Sequence, residues 1–102
     1  MENQPEQEIR APRELGTIYV GKKPTMEYVL ACLTHIQNGN EELTVKARGK
    51  AISRAVDVAQ ILTKRVAVDL KVASVSINTE LVRSQINNET SNVSSIEIKL
   101  HR

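Results

Sequence analysis

The chain has no tryptophan and no phenylalanine, and its aromatic content rests on Tyr19 and Tyr28 alone. Its core must therefore come from Ile, Val, Leu and Ala, which bury less area per residue than aromatic rings. A short chain built this way buries a modest area, which favours a dimer. A surface that stacks successive unpaired bases needs several exposed aromatics on strands, and only Tyr19 falls on a strand-like run. The single cysteine, Cys32, excludes an internal disulfide and a cysteine-rich zinc site. No apolar run is long enough to read as a signal peptide or a membrane span, so the expected location is the cytoplasm and its nucleoid, with no membrane partner.

Catalytic chemistry is equally thin. The stretch Gly16 to Lys23 approaches a phosphate-binding loop, but Lys23 stands where Ser or Thr must bind magnesium. Its intervening residues are also strand formers rather than a pliable cradle. Cys32 and His35 lie one helical turn apart, yet two ligands do not complete a tetrahedral metal site. Helical phase turns Cys32 toward the core and His35 toward solvent. No pair of carboxylates sits in an apolar setting, and no Ser, His and Asp set has positional support. The reading is of a protein that is not an enzyme, with no cofactor, no metal and no small-molecule substrate.

What the sequence does have is an uneven distribution of charge. The formal net charge is only +2, a weak indication of an anionic partner. Residues 1–14, however, hold Glu2, Glu6, Glu8 and Glu14 against Arg10 and Arg13. With Pro5 and Pro12 and few apolar residues, this stretch reads as a disordered acidic tail before a domain over 15–102. The remainder is more basic, and Lys46, Arg48, Lys50, Arg54, Lys64 and Arg65 face one acid, Asp57, over 46–65.

The elements follow from hydrophobic spacing. Thr17 to Val20 is a β-branched and aromatic strand run. Gly21-Lys22-Lys23 turns the chain, and Pro24 suits the first turn of a helix because its φ is preset and its missing N–H is not needed there. Over 25–38, Met26, Val29, Leu30, Leu33 and Ile36 give one apolar face. Asn38-Gly39 ends that helix, since glycine readily takes the left-handed conformation of a helix C-terminus.

Leu43, Val45 and Ala47 alternate with Thr44, Lys46 and Arg48, which predicts a half-buried strand with a partly cationic outer face. Gly49 opens a second helix over about 50–65, with Ile52, Ala55, Val56, Ala59 and Leu62 as its core face. Val58 and Ile61 fall on another side and, with Val66 beyond them, form a candidate subunit contact. A long strand over 69–82 changes hydrophobic parity between Val72 and Val75, which places a bulge near Ala73-Ser74. Residues 93–101 close the chain with Ile96, Ile98 and Leu100 inward. The polar stretch from Arg83 to Asn92 reads as the tip of a projecting hairpin. The order β-α-β-α-β-β implies an α/β (α+β) two-layer sandwich, a four-stranded mixed sheet with two helices on one face.

Within that order, Lys22 and Lys23 lie where a strand gives way to a helix, and Lys46, Arg48 and Lys50 lead into the next one. Helix N-termini carry partial positive charge and free backbone N–H groups, so lysines added there make a phosphate site. If the two strands run parallel, both loops emerge at one sheet edge. Charge alone does not separate such a site from a solvated cationic face.

Two strings then carry a resemblance. Gly21-Lys22-Lys23-Pro24 with Met26 and Tyr28-Val29-Leu30-Ala31 is followed by Lys46-Ala47-Arg48-Gly49-Lys50-Ala51-Ile52-Ser53 with Ala55-Val56-Asp57. With the closing Ser94-Ser95-Ile96-Glu97-Ile98-Lys99-Leu100, this resembles the Alba family of archaeal chromatin proteins over roughly residues 17–101. The resemblance implies the fold shared with the C-terminal domain of bacterial translation initiation factor three. It also implies a homodimer, or a heterodimer with a paralogue, that binds double-stranded DNA without sequence preference. RNA binding, as a chaperone or ribonucleoprotein subunit, is the alternative. It implies phosphate contacts from Lys22, Lys23, Lys46, Arg48, Lys50 and Arg54, hairpins that reach along the minor groove, and acetylation at Lys22. The chain departs from the family at two places. Its hairpin tip is Ile86-Asn87-Asn88-Glu89-Thr90-Ser91-Asn92, with only Arg83 on the approach as the arm's expected nucleic-acid contact, and Val66 stands where some members carry a Phe that joins dimers.

Overall fold

The structure is a computed structural model that describes residues 16–102; the expected acidic tail over 1–14 lies outside the described residues. The elements are β1 (Thr17–Tyr19), α1 (Thr25–Gln37), β2 (Glu42–Arg48), α2 (Ile52–Ile61), β3 (Lys71–Arg83) and β4 (Thr90–His101). A single 3-10 turn, Gly49–Ala51, leads into α2, and a wider helical turn, Leu62–Val66, extends it. This is the predicted β-α-β-α-β-β order.

The strands form one sheet in the order β1-β2-β4-β3. β1 runs parallel to β2, with Tyr19 opposite Lys46, while β4 runs antiparallel to both β2 and β3. The chain therefore inserts its last strand between β2 and β3 and leaves β3 as an edge. The expected bulge is present: Val72 pairs with Leu100 and Ser74 with Lys99, so Ala73 is the extra residue.

Strand alternation sends Ile18, Leu43, Val45, Ala47, Ile96, Ile98 and Leu100 to the helix-covered face, where all are buried. They pack with Val29 and Cys32 of α1 and with Ala55, Val58, Ala59 and Leu62 from the second helix and its extension. Each fully buried Leu or Val contributes about 1.5–3 kcal/mol relative to exposure.

Both helices are rotated from the phase read in the sequence. In α1 the buried stripe is Val29 and Cys32 flanked by half-buried Tyr28, Leu33 and Ile36, and Met26 and Leu30 are exposed. In α2 Val58 is fully buried whereas Val56 is exposed. Val58 therefore belongs to the core and is not available as a subunit contact; Ile61 is half-buried against the same core, and only Val66 is exposed. The cause is two-sided packing: α2 touches α1 as well as β2 and β4, and so buries a wider stripe than one sheet face requires.

The sheet ends unevenly. β2 pairs with β4 only as far as Arg48 opposite Ser95, whereas β3 and β4 continue to Arg83 opposite Thr90. Beyond Ser95 the hairpin is a two-stranded arm, and it leaves the body at the end where β1 and β2 finish. A hydrogen bond from Ser84 N to Glu89 O and a left-handed Asn88 (φ 63°) close its tip.

Candidate nucleic-acid interface

Two turns and the arm share one end of the molecule. Val20 N donates to Lys46 O at 2.8 Å, so the backbone two residues before Lys22 lies against the backbone two residues before Arg48. Gly21-Lys22-Lys23 then rises into α1, and Arg48-Gly49-Lys50 into α2. Gly49 makes the second turn with φ of 60°, and a side chain built there would meet Val93 at the base of the arm at 3.5 Å. The turn is thus fitted between the helix it starts and the arm.

The first turn is held from both helices. Tyr28 on α1 accepts hydrogen bonds at its hydroxyl from Gly21 N at 2.9 Å and from Lys23 N at 3.0 Å. Arg54 on α2 reaches across to donate from Nη1 to Gly21 O at 2.6 Å. Arg54, expected as a phosphate ligand, is half-buried and spends one guanidinium N–H on the loop carbonyl. Tyr28 was missed as part of the site. Its only sequence signal is a phenol one turn into a helix that starts at Pro24, close enough to reach back to the preceding turn.

The cations differ in their surroundings. Lys22, Lys23 and Lys50 are exposed, and among the described residues none has a carboxylate within 4.0 Å. Arg48 is paired with Glu80, on the first part of the arm, at 3.3 Å. Lys46 lies on the open face of the sheet, 3.9 Å from Glu97, which Lys99 also approaches at 3.8 Å. Exposed pairs of this kind hold weakly and exchange partners readily. Arg83 is far out on the arm, where Nη1 donates to Asn88 Oδ1 at 3.4 Å. The sequence-predicted residues thus divide: Lys22, Lys23, Arg48, Lys50 and Arg54 gather at one end, Lys46 lies on the adjoining sheet face, and Arg83 stands apart on the arm.

Cys32 and His35 do not form a joint site. Cys32 is fully buried, and burial pushes its thiol up from 9.0 to about 12. His35 is half-buried and shares a hydrogen bond of 3.1 Å between its Nδ1 and Asn40 Nδ2.

The open face of the sheet carries a groove of about 660 Å³ beside the basic turns, lined in part by Tyr19, Lys46, Arg48, Asn78, Ser95 and Glu97. Tyr19 is half exposed there, and Lys46 Nζ lies 5.7 Å from its ring centre. On the opposite face, Val72, Val75, Ile77 and Leu81 of β3 form an exposed apolar row, because the helices cover β1, β2 and β4 and leave the edge strand bare.

The fold recurs in known proteins. The Alba family profile matches residues 16–99. The chain is 51% identical over 85 residues to a protein of Archaeoglobus fulgidus named DNA/RNA-binding protein Alba 1, covering 83% of this chain and 93% of that one. It is 47% identical over 89 residues to the DNA/RNA-binding protein Alba of Thermoplasma acidophilum, covering 87% and 98%. The solved structure of Alba from Thermoplasma volcanium superposes with a TM-score of 0.79 at 48% identity, covering 84% of this chain and 99% of that one. The chain belongs to the Alba family.

Proposed function

We propose that the protein binds double-stranded DNA without sequence preference, as a dimer and chiefly through phosphate contacts, and serves as an architectural component of the nucleoid. One observation carries this reading: Lys22, Lys23 and Lys50, without carboxylate partners among the described residues, share one end of the fold with Arg48 and with the base of the arm. The names of the relatives, DNA/RNA-binding proteins, support the ligand class.

The mechanism is electrostatic. Backbone phosphates meet lysines at two turns that open helices, so side-chain charge and helix N-terminal N–H groups add. Each phosphate neutralised releases condensed counterions, which makes affinity fall steeply with salt. Contacts to phosphate fix position without reading bases. Arg48 exchanges Glu80 for a phosphate oxygen on binding, and Arg54 and Tyr28 keep the first turn in place. Arg83 extends the cationic track along the arm, and acetylation of Lys22 would remove one charge from its centre.

The dimer rests on the apolar row of β3. An uncovered edge strand with Val75, Ile77 and Leu81 exposed is a surface that a second copy, or a paralogue with the same row, covers by symmetric pairing. Two copies then present two basic ends to one duplex.

The test is affinity for unrelated duplexes of equal length across a salt series. Equal affinities with a steep negative salt slope are expected. A flat salt response, or a strong preference for one sequence, contradicts the proposal. Structured RNA is the second ligand to compare at one salt concentration, because the relatives' names include it.

A further inference from the structure

We infer that Glu80 is a built-in competitor for the phosphate site of Arg48. It holds the guanidinium in the free protein, lowers duplex affinity, and lets the second basic turn engage fully only when a phosphate displaces it. The inference rests on the phosphate-binding reading above and deepens it, because it names the residue that regulates one of those contacts.

The pair follows from the register. Arg48 ends β2 opposite Ser95 of β4, and Ser95 stands opposite Asn78 of β3. Glu80 lies two residues beyond Asn78, on the same face of the sheet by strand alternation. Arg48 therefore meets its partner diagonally across β4. Adjacent strands lie about 4.8 Å apart, so crossing the one between takes about 10 Å, a span that an extended arginine and a glutamate cover together. The residue at the crossing, Ser95, is small, and its hydroxyl donates to Asn78 O at 3.4 Å, so the guanidinium has a path over it. Nη1 of Arg48 then donates to Glu80 Oε1 at 3.3 Å. Because Glu80 belongs to the arm, this contact ties the arm to the turn that opens α2.

The surroundings make this pair exchangeable where others are not. Arg54 is half-buried and donates to Gly21 O at 2.6 Å, so its release would undo the first turn. Glu97 is approached by both Lys46 and Lys99, so it keeps one cation if the other leaves. Glu80, by contrast, has no cation other than Arg48 within 4.0 Å among the described residues, and the two side chains are 46% and 58% exposed. A phosphate oxygen can reach the guanidinium there without opening the core. Its arrival leaves a bare carboxylate beside the ligand, and like charges brought together oppose binding. Engagement of Arg48 thus breaks one exposed ion pair, which lowers affinity by about 1.5- to 5-fold per binding protomer. Lys22, Lys23 and Lys50 meet a phosphate without such a competitor among the described residues.

The experiment is a double-mutant cycle on the full chain: the parent, Glu80→Gln, Arg48→Ala and the double variant, each titrated with one duplex DNA at one salt concentration. Glu80→Gln is expected to bind the duplex about 1.5- to 5-fold more tightly per binding protomer than the parent. The gain shrinks in the Arg48→Ala background, because the pair is already absent there; equivalently, Arg48→Ala costs more affinity when Glu80 has been replaced. A second measurement follows the Arg48 Nε–H resonance. It differs between the free parent and free Glu80→Gln, and the two coincide once duplex is bound, since in both the guanidinium then faces phosphate. Three results overturn the competitor: no gain with Glu80→Gln, an equal gain with and without Arg48, which reduces Glu80 to a distant charge, or Arg48 resonances that still differ in the complex. Each of these leaves the duplex reading standing. Failure of all four proteins to bind the duplex overturns the competitor and that reading together.

Discussion

Tyr28 shows how one hydroxyl shapes a charged site. By accepting from Gly21 N and Lys23 N, it fixes the turn that carries two lysines. Tyr28→Phe keeps the ring in place and removes only the acceptor. Both donors are near water, so the expected loss is modest: about 1 kcal/mol of stability, or roughly 4–8 °C in melting temperature for a domain of this size. Affinity falls alike for all duplex sequences, because the turn loses its preset geometry. A thermal melt combined with binding to unrelated duplexes checks both.

Cys32 makes a different kind of prediction at the same scale. Its thiol ionises near 9.0 when the chain is unfolded and near 12 when it is buried in the fold. A group whose folded value is raised contributes its full stability below the unfolded value and loses it as pH climbs toward the folded one. The parent chain therefore loses stability between those two values relative to Cys32→Ala. Denaturant titrations of both proteins at about pH 8 and about pH 11 check this; a stability gap that does not change with pH contradicts it.

Among the elements, β3 carries the clearest lesson about what a sequence can tell. Its parity change placed the bulge at Ala73, because a shift in alternation is a local signal. Its exposure was not legible: alternation says which face is apolar, and not whether anything covers it. α2 shows the same limit, since Val58 was assigned to a subunit contact from helical phase but is fully buried between α1 and the sheet. The surface proposed for a partner is the exposed row Val72, Val75, Ile77 and Leu81. Ile77→Lys is expected to leave the fold intact, since this side chain is 79% exposed, and to shift sedimentation from dimer to monomer. Unchanged sedimentation as a dimer would place the contact elsewhere.

For the whole molecule, the order of elements and the meeting of two basic turns could be read from spacing, because parallel strands that each lead into a helix must deliver their loops to one edge. The neutralising partners could not. Glu80 lies 32 positions from Arg48, and only the antiparallel return of β4 between β2 and β3 brings the arm beside that arginine. Among the described residues, charge is thus graded: without carboxylate partners at Lys22, Lys23 and Lys50, and shared at Arg48 on the basic end and at Lys46 on the adjoining sheet face. Under the proposed function, this gradient gives the lysine turns the greater part of phosphate binding. The most direct measurement is the salt dependence of duplex binding by Lys22→Ala with Lys23→Ala beside the parent chain. The slope of log affinity against log salt should become shallower by about 2 per binding protomer, with the same loss on every sequence. An unchanged slope, or a loss confined to particular sequences, would contradict a grip on the phosphate backbone from this end of the molecule.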